Sequence, residues 1–492
     1  MTDRTPLYPG RVKMTPVSGQ ANIYDMERAD QPTQEGTPLN KATLLSDATA
    51  AALGLAGDDP TVDEALATLM PGWVGDIRIT ARADLGDNWL LCNGDQVSAA
   101  EYPELAGILS SRLKNKWFQA KDIWSGNQYR FRINCITYAN GYWVAGGLLY
   151  DSAGMSSSSS YKYQGAIAYA TSPDGDWTIK PIFGGDGVNT IGIICITYAN
   201  GYWVVGGGRQ IGSNYYARIN YTTDLTGTWT GSDLWYNTTS YNQINCVTYA
   251  NGYWVVGGCY MTSSKTYSRI AYNTTISGTW TTKDLDSDTD GNPKIYCITY
   301  ADGNWVAGGL YGYGAKIYYT TSPAGTWTSK SLWSNGQYAG SSVRRITYVN
   351  GLWVAAGNKA SSSNSGYGAF GCAADPSGTW TTHYLDDLIA IEDIAYANGY
   401  WVVCGQGYSG SEIHARIAYT TDLAGDWTTK YLWGDGTTNY NCIYGIAYAD
   451  GRWVAAGQSY DGTTYSGRIS YSTDDGILPL ISIDDAYAYI RG

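Results

Sequence analysis

One twelve-residue motif recurs seven times along this chain of 492 residues. The first copy reads ITYANGYWVAGG and starts at Ile136. Each later copy starts 48 to 60 residues after the one before it, at Ile196, Val247, Ile298, Ile346, Ile394 and Ile446. A repeat of about 50 residues is typical of propellers and solenoids, in which each unit buries its core against its neighbours.

Each repeat unit reads as four antiparallel strands. In the motif, a short strand ITYA is followed by the hairpin turn signal Asn140-Gly141 and by the returning strand YWVAGG. All seven copies carry Asn-Gly or Asp-Gly at this turn. A loop of variable length leads to a third strand, such as 218–224, and a turn containing Gly leads to a fourth strand that begins at a tryptophan, such as Trp229. Four antiparallel strands per unit predict the blade of a β-propeller.

The fourth strands indicate how the ring closes. Six of them follow a third strand, and they begin at Trp177, Trp229, Trp280, Trp327, Trp380 and Trp427. The seventh repeat has none, whereas WFQAKDIW at 117–124 precedes the first repeat and aligns with WTTKYLW at 427–433. We therefore predict a mainly β chain with a seven-bladed β-propeller over 117–476. Its last blade takes 117–124 as the outer strand, which removes exposed sheet edges.

The composition fits a β-rich fold and argues against two classes of partner. The chain has 61 Gly, 45 Tyr and 20 Trp but 4 Phe and 2 His. Its net charge of −12 argues against an electrostatically bound nucleic acid or anionic membrane. No run approaches 18 apolar residues, and the start, MTDRTPLYPGRVK, lacks an apolar signal region. We expect no membrane insertion, no signal peptide and synthesis in the cytoplasm.

The nine cysteines show no CxxC spacing. Four of them stand one residue before successive copies of the motif, namely Cys135, Cys195, Cys246 and Cys297. Equivalent inner-strand positions of neighbouring blades are too far apart for a disulfide bond. We predict buried free thiols, which suit assembly in a reducing cytosol.

The residues outside the array have a different character. Residues 1–40 are polar and without a period, so we expect extended or poorly ordered chain there. Three short helices are predicted, one between Asn40 and Gly57, one at 60–70 and one at 98–113. The predicted segments are an N-terminal segment with short helices at 1–74, a small α+β segment at 75–116 and a C-terminal strand that returns to it at 477–492.

Two of these segments resemble a known family. YPGRVKMTPVSGQANIYDMERADQPTQEGTPLNKATLLSDATAAALGL resembles the N-terminal segment of tail-fibre proteins from phages and prophages of Gram-positive gut bacteria. WLLCNG with the helix after it is similar to the start of the phage tail-collar fibre domain, and LPLISIDDAYAYIRG resembles the last strand of such fibres. The resemblance covers residues 8–110 and 477–492. It departs from the family in the middle, where the array replaces the collar body.

The resemblance implies a position in the virion tail. The N-terminal segment would dock to phage tail or baseplate proteins, and the protein would be a homo-oligomer, namely a trimer. The array would meet a cell-surface glycan or protein of a Gram-positive host. What the array binds stays open.

Strand direction assigns two ends to the predicted ring. The inner hairpin turns and the third-to-fourth-strand turns share the bottom and are nearly identical, whereas the second-to-third-strand and blade-to-blade loops share the variable top. The top loops are rich in Tyr, Ser, Gly and Asn, which give adaptable contacts and ring faces for sugars. The predicted receptor-binding residues are Tyr129, Tyr150, Tyr161, Tyr163, Tyr215, Tyr216, Tyr241, Tyr260, Tyr267, Tyr311, Tyr313, Tyr338, Tyr367, Tyr408, Tyr440, Tyr460 and Tyr465. The alternative is polar loop filling.

Other repeated residues read as structural. The tryptophans equivalent to Trp143 and Trp177 are predicted to lie in the core. Inter-blade packing is predicted for the residues that close the outer strands, Trp124, Trp235, Trp333 and Trp433. Ion pairs at the surface or between blades are predicted for one repeated position, occupied by Arg218, Arg269, Lys316, Arg416 and Arg468. The turn at 223–229 resembles the Asp-box of sialidase-like propellers, which is a structural turn in that family.

The one metal candidate is a calcium loop with Asp286, Asp288 and Asp290. An EF-hand would need a carboxylate where Cys297 stands, together with flanking helices. An Asp-rich loop tip is the alternative, and we expect no cofactor.

No catalytic motif stands out. His383 and His414 are isolated, and the sequence has no metal-ligand cluster, nucleophile elbow or phosphate loop. Acids of the top loops, such as Asp435 with Asp186 or Glu412, are the pairs that could hydrolyse a glycan. We expect receptor binding and no enzymatic activity. The alternatives are a glycan-degrading tail depolymerase and a structural fibre or baseplate spacer.

Overall fold

A computed structural model of the chain describes residues 5–6, 12–16, 24–28, 32–34, 77–80, 89–91, 119–126, 132–151, 162–183, 188–238, 241–289, 292–334, 340–361, 366–409, 412–433, 441–462, 464–472 and 487–491. The chain divides into two units, 1–114 with 479–492 and 115–478. All regular structure within the described residues is β-strand. None of it is a helix with the length and apolarity that crossing a bilayer requires.

The first unit contains three small antiparallel sheets. Its strands are β1 (Thr5–Pro6), β2 (Val12–Pro16), β3 (Tyr24–Arg28), β4 (Pro32–Gln34), β5 (Ile77–Thr80), β6 (Trp89–Leu91) and β35 (Tyr487–Arg491). β1 pairs with β4, β2 pairs with β3, and β35 lies between β5 and β6. Extended or poorly ordered chain was expected over 1–40; the alternation in VKMTP and YDMER was not noticed, and these two segments form a hairpin with Met14 in register with Met26. The three predicted helices lie outside the described residues.

The second unit is a ring of seven four-stranded blades, which confirms the predicted β-propeller. Blade 1 contains β8 (Arg132–Ala139), β9 (Tyr142–Asp151), β10 (Lys162–Ala170) and β11 (Thr178–Phe183). Blade 2 contains β12 (Val188–Ala199), β13 (Tyr202–Ile211), β14 (Asn214–Thr222) and β15 (Thr230–Asn237). Blade 3 contains β16 (Gln243–Ala250), β17 (Tyr253–Met261), β18 (Thr266–Asn273) and β19 (Thr281–Asp288). Blade 4 contains β20 (Lys294–Ala301), β21 (Asn304–Tyr311), β22 (Gly314–Thr320) and β23 (Thr328–Ser334).

The remaining blades follow the same order. Blade 5 contains β24 (Ser342–Val349), β25 (Leu352–Ala360), β26 (Gly366–Ala373) and β27 (Thr381–Leu385). Blade 6 contains β28 (Ala390–Ala397), β29 (Tyr400–Ser409), β30 (Glu412–Thr420) and β31 (Thr428–Trp433). Blade 7 contains β32 (Cys442–Ala449), β33 (Arg452–Tyr460), β34 (Tyr465–Tyr471) and, as its outer strand, β7 (Gln119–Gly126).

β7 closes the ring as the sequence predicted. It pairs antiparallel with β34, with Lys121 in register with Ile469. The innermost strands β8 and β32 then lie side by side, so the first and last blades are neighbours. One strand from before the first repeat therefore completes the sheet of the seventh.

The repeat motif forms the inner hairpin of each blade. Asn140 and Gly141 have φ values of +48° and +79°, the left-handed conformation that a type I′ turn requires. The equivalent Asn-Gly or Asp-Gly pairs of the other six blades repeat these angles. The predicted four-residue strand ITYA is in fact the second half of an eight-residue strand such as β8. Its first half lies beyond a β-bulge between Ile133 and Cys135, which breaks the period on which the prediction rested.

Tryptophans pack each blade and join it to the next. Trp143 is fully buried, and its ring centroid lies 5.1 Å from that of Tyr138. Trp177 donates through Nε1 to the Pro173 carbonyl at 3.1 Å, so it belongs to the turn, and β11 begins one residue later than predicted. The predicted inter-blade packing is confirmed for three outer-strand tryptophans, whose Nε1 atoms donate to carbonyls of the following blade: Trp235 to Cys259 at 3.0 Å, Trp333 to Asn358 at 2.9 Å and Trp433 to Gln458 at 2.9 Å.

The bottom turns are braced from the preceding blade. In the blade 2 turn, Asp224 Oδ1 accepts from the Thr226 amide at 2.9 Å, a local bond that fixes the turn as expected for an Asp-box. The Lys180 ammonium on β11 donates to the carbonyls of Leu225 at 3.1 Å and Thr226 at 2.7 Å. Equivalent lysines reach the turns of blades 1, 4 and 5, namely Lys121, Lys283 and Lys330.

Candidate functional site

The described part of the chain places most of the predicted receptor-binding tyrosines at the top ends of the blades. These are Tyr163, Tyr215, Tyr216, Tyr241, Tyr260, Tyr267, Tyr311, Tyr313, Tyr367, Tyr408, Tyr460 and Tyr465. Tyr150 is on β9, in register with Tyr163. Tyr129, Tyr161, Tyr338 and Tyr440 lie outside the described residues.

Blade 2 carries the largest described group of these rings, which we call the blade 2 tyrosine patch. It consists of two ring pairs, Tyr215 with Tyr241 at a centroid distance of 5.0 Å and Tyr216 with Tyr236 at 5.2 Å. Because consecutive strand residues point to opposite sides of a sheet, the pairs lie on either side of the top edge of β14. Tyr236 and Tyr241 are 59% and 60% exposed, although large aromatic side chains usually bury most of their area.

Polar groups border this patch. The Arg209 guanidinium lies 5.3 Å from the centre of the Tyr216 ring, within the range of a cation–π contact. Arg209 also pairs with Asp233 at 2.5 Å, and Asn214 Nδ2 lies 3.3 Å from the Tyr216 hydroxyl. Tyr236 was not among the predicted residues. Its signal was alternation, because Trp235 before it is buried and the next residue of a strand must face outward.

The other blades carry smaller aromatic groups at the top. Tyr260 and Tyr267 of blade 3 have centroids 5.8 Å apart, and Tyr460 and Tyr465 of blade 7 have centroids 4.2 Å apart. Three rings of blades 4, 5 and 6 are exposed, namely Tyr313, Tyr367 and Tyr408. The structure thus brings some predicted residues together in pairs within a blade and distributes the others around the ring.

The repeated cationic position forms ion pairs, as predicted. Arg218 pairs with Asp233, Arg269 with Asp284 and Arg468 with Asp122, at 2.8, 2.6 and 2.5 Å. Lys316 and Arg416 instead reach acids of the preceding blade or blade connection, Asp286 at 2.5 Å and Asp387 at 3.7 Å. These cations therefore join strands and blades and do not converge on one site.

The calcium candidate is engaged differently from the prediction. Asp286 and Asp288 lie on strand β19 and not in a loop, and Asp290 lies outside the described residues. Asp286 Oδ2 accepts from the Lys316 ammonium at 2.5 Å and from the Tyr318 hydroxyl at 3.2 Å. Among the described residues, no group of three or more His, Cys, Asp or Glu side chains is arranged to hold a metal ion.

A second group of polar and charged side chains lies along the central channel, which the seven innermost strands line. Every innermost strand has a β-bulge at the same place, for example between Val343 and Arg345 on β24. A bulge turns two successive side chains toward the same side and is frequent beside functional sites. The bulge pairs of blades 1 to 7 read Asn134-Cys135, Ile194-Cys195, Asn245-Cys246, Tyr296-Cys297, Arg344-Arg345, Glu392-Asp393 and Tyr444-Gly445.

Blades 5 and 6 place two ion pairs in this channel. Arg345 donates to Asp393 through Nε at 2.5 Å and through Nη2 at 2.8 Å. Asp393 is 2% exposed and also accepts from the backbone amides of Ile394 at 2.8 Å and Ile446 at 3.1 Å. The Arg345 side chain is 46% exposed, and the charge of Asp393 raises the pKa of its guanidinium. Arg345 therefore stays charged and open to the channel at any pH at which the protein is folded.

The layer above is less tightly paired. Arg344 Nη1 lies 3.4 Å from Glu392 Oε2, and Arg344 Nε donates to Ser342 Oγ at 3.1 Å. The Arg344 guanidinium is 4.7 Å from the centre of the Tyr296 ring, and burial raises the pKa of Tyr444 in the same layer. Cations, a carboxylate and phenols thus share one wall of the channel.

The opposite wall carries the thiols of blades 1 to 4. All eight cysteines within the described residues are free, including the four for which free thiols were predicted; of these four, Cys246 and Cys297 are buried, whereas Cys135 and Cys195 are half-buried. Burial raises the pKa of Cys135 and of Cys297 to about 12, although the charge of Arg345 acts in the opposite direction on both. These thiols are protonated and unreactive at neutral pH.

Sequence reasoning missed the channel residues. The prediction covered the blades with a cysteine one residue before the motif. It did not cover the blades with another residue at that position. The signal was that blades 5, 6 and 7 replace Cys with Arg345, Asp393 and Gly445 at this otherwise constant position. The β-bulge also turns the preceding residue toward the channel, and this bulge is visible only in the strand register of the structure.

No protein-family model matches the sequence, and no curated protein matches it. Several solved structures are similar in fold. Sqt1 from Chaetomium thermophilum is 11% identical, with a TM-score of 0.41 over 69% of this chain and 83% of that one. The NanB sialidase from Streptococcus pneumoniae is 11% identical, with a TM-score of 0.40 over 74% of this chain and 71% of that one. The polysaccharide lyase Uly1 is 11% identical, with a TM-score of 0.42 over 85% of this chain and 99% of that one.

The prediction that this protein is not an enzyme is wrong by this comparison and is withdrawn. Two of the three solved structures named above are those of a sialidase and of a polysaccharide lyase. The absence of a recognisable catalytic motif was its basis, and propeller sites are assembled from strands distant in sequence, where no motif can form. At 11% identity and TM-scores below 0.5, the likeness concerns the fold alone and assigns this chain no reaction.

Proposed function

We propose that this protein is the receptor-binding component of a phage-type tail fibre, and that the top face of its propeller binds a glycan of a Gram-positive cell surface. The observation that carries the glycan part is the blade 2 tyrosine patch. Exposed phenol rings in pairs offer flat surfaces on which the apolar face of a sugar stacks. The neighbouring Arg209, Asp233 and Asn214 offer polar groups for its hydroxyls.

The position in a virion tail is supported by the sequence of the N-terminal and C-terminal segments. Under this proposal, 1–74 attaches the protein to tail or baseplate proteins, and the fibre is a trimer. Both ends of the propeller, before β7 and after β34, lie at its bottom, and the proposal assigns the host contact to the opposite, top end. Three copies with several aromatic groups each would raise weak binding per site to firm adsorption through avidity.

A direct test is retention on the receptor. Purified wall polysaccharide of a susceptible Gram-positive strain is immobilised, and the intact protein is passed over it. The proposal expects retention that soluble polysaccharide competes away, and competition by the protein with phage adsorption. Absence of both retention and competition would contradict it and would favour a structural fibre or baseplate spacer.

Degradation of the bound glycan is a second candidate, which the channel residues favour. Glu392 Oε2 lies 3.4 Å from Arg344 Nη1 with two phenols in the same layer, and a carboxylate held at such a place is a candidate general base. Incubation of the polysaccharide with protein and assay of new chain ends tests this. Chain ends formed by the intact protein and lost in Glu392→Gln support degradation, and their absence in both leaves binding as the function.

A further inference from the structure

We infer that the mouth of the central channel is a second binding site, specific for an anionic group carried on a sugar, either a carboxylate or a phosphate. We call its residues the channel cluster: Arg132, Tyr296, Arg344, Arg345, Glu392, Asp393 and Tyr444. It is separate from the blade 2 tyrosine patch and goes beyond the proposed stacking of neutral sugar rings. The two sites can therefore fail independently.

Charge is the first argument. The channel cluster has three guanidinium groups and two carboxylates, in a chain whose net charge is −12. One of the carboxylates is fully engaged, because each Asp393 oxygen accepts from Arg345 and from one backbone amide. At 2% exposure, Asp393 has no oxygen left for a ligand. The cluster that a solute meets therefore has an excess of donors over acceptors.

Unused donors are the second argument. Asp393 takes Nε and Nη2 of Arg345 and leaves Nη1, in a side chain that is 46% exposed. The 3.4 Å separation of Arg344 and Glu392 is longer than the 2.7–2.9 Å of a charge-assisted hydrogen bond. Arg132 Nε is buried without a hydrogen-bond partner among the described residues, and its guanidinium lies 5.9 Å from the Tyr444 ring. Arginine donors of this kind suit the two oxygens of a carboxylate or phosphate.

Asymmetry is the third argument. The ring needs no charge at this position, because blades 1 to 4 close with thiols and blade 7 with Gly445. The charge of Arg345 acts to lower the pKa of thiols of blades 1 to 4, namely Cys135, Cys195, Cys246 and Cys297. A buried charge such as that of Asp393, at 2% exposure, costs stability that the neutral groups of the other blades do not cost, even when it is paired. The side of the channel formed by blades 5 and 6 thus differs from the other blades because it carries cations, which an anionic ligand requires.

The test is calorimetric titration of the intact protein with three probes: a trisaccharide of galacturonate, its methyl ester and inorganic phosphate. The ester removes the charge and adds one methyl group to each sugar, so tighter binding of the acid, by about tenfold or more, is expected. Phosphate that binds while the acid does not would identify a phosphate-bearing ligand. Equal binding of acid and ester with none of phosphate, or binding of no probe, would overturn the inference.

Variants assign the effect to these residues. Arg344→Gln and Arg345→Lys, which keeps a cation beside Asp393 but loses the planar fork of donors, are expected to weaken anion binding by about tenfold. Arg269→Gln, which removes a cation from the third strand of blade 3, is expected to leave it unchanged. Unchanged binding in both channel variants, with the same circular dichroism as the parent, would contradict the assignment.

Discussion

Arg345 of blade 5 donates to both carboxylate oxygens of Asp393 of blade 6, at 2.5 and 2.8 Å. Because Asp393 also accepts from the amide of Ile446 in blade 7, this one carboxylate connects three consecutive blades. The ion pair that holds Arg345 at the channel is thus also part of the closed ring.

Removal of the Arg345 charge alone is expected to destabilise the propeller. Arg345→Met leaves the carboxylate of Asp393, 2% exposed, without its cation, and we expect a loss of about 3 kcal/mol in the free energy of unfolding. Arg269→Met breaks a pair at the surface and is expected to cost about 0.5 kcal/mol or less. Denaturant unfolding of the two variants checks this, and equal losses would show that the channel pair has no special weight.

Gly146 is expected to tolerate no side chain while Cys135 faces it. A Cβ atom at Gly146 would lie 2.9 Å from Cys135 Sγ and 2.7 Å from Ile193 Cγ2. Gly146→Ala should lower the free energy of unfolding by about 1–3 kcal/mol through overpacking. Blade 7 has the opposite pair, Gly445 in register with Ala456. Cys135→Gly added to Gly146→Ala should therefore recover part of the loss, and a double variant worse than the single one would refute this packing account.

The channel thiols should make the protein sensitive to high pH. Folding raises the pKa of Cys135 and Cys297 from 9.0 to about 12, so the folded state favours the protonated form. This contribution to stability is complete below pH 9 and declines as the pH rises from 9 toward 12. The thermal midpoint should fall between pH 8.5 and pH 10.5, and less so in a variant with all four channel cysteines changed to Ala. An equal fall in both proteins would assign the effect to other groups.

The bracing lysines should contribute to stability one blade at a time. Lys180→Met removes a cation from the Leu225 and Thr226 carbonyls of the next blade and is expected to cost about 1 kcal/mol, or roughly 1–3 °C in the thermal midpoint. Lys265→Met, at an exposed loop of blade 3, is the control and should change nothing. Unchanged unfolding of Lys180→Met would mean that water replaces the ammonium without loss.

The ring itself could be predicted because its determinants are local and repeated. Asn140-Gly141 specifies a tight turn by its own backbone preference, and seven such turns at a constant period leave few other folds. Closure by β7 could be predicted because the seventh repeat lacks a fourth strand that begins at a tryptophan, whereas one such strand precedes the first repeat. The outer strand of each blade could be assigned without knowledge of side-chain contacts.

The channel could not be predicted in the same way. Whether Arg344 faces solvent, a neighbouring blade or the axis depends on the bulge between Val343 and Arg345, and a one-residue change of register reverses the side of every residue before it. The composition of a single strand does not encode the position of this bulge. The pairing of Arg345 with Asp393 depends in addition on two blades whose residues are 48 positions apart in sequence.

The most direct test of the central claim is binding of the intact protein to host wall polysaccharide with the tyrosine patch removed. Tyr236→Ala with Tyr241→Ala deletes two exposed rings at the top, and Tyr202→Ala deletes one ring at the bottom, where Tyr202 contacts Tyr221 at 6.0 Å. We expect the top variant to lose about tenfold or more in affinity, at about 0.5–1.5 kcal/mol per stacked ring. The bottom variant should bind like the parent. Parental binding by the top variant, or an equal loss in both variants, would contradict the claim that the top face of the propeller binds the glycan.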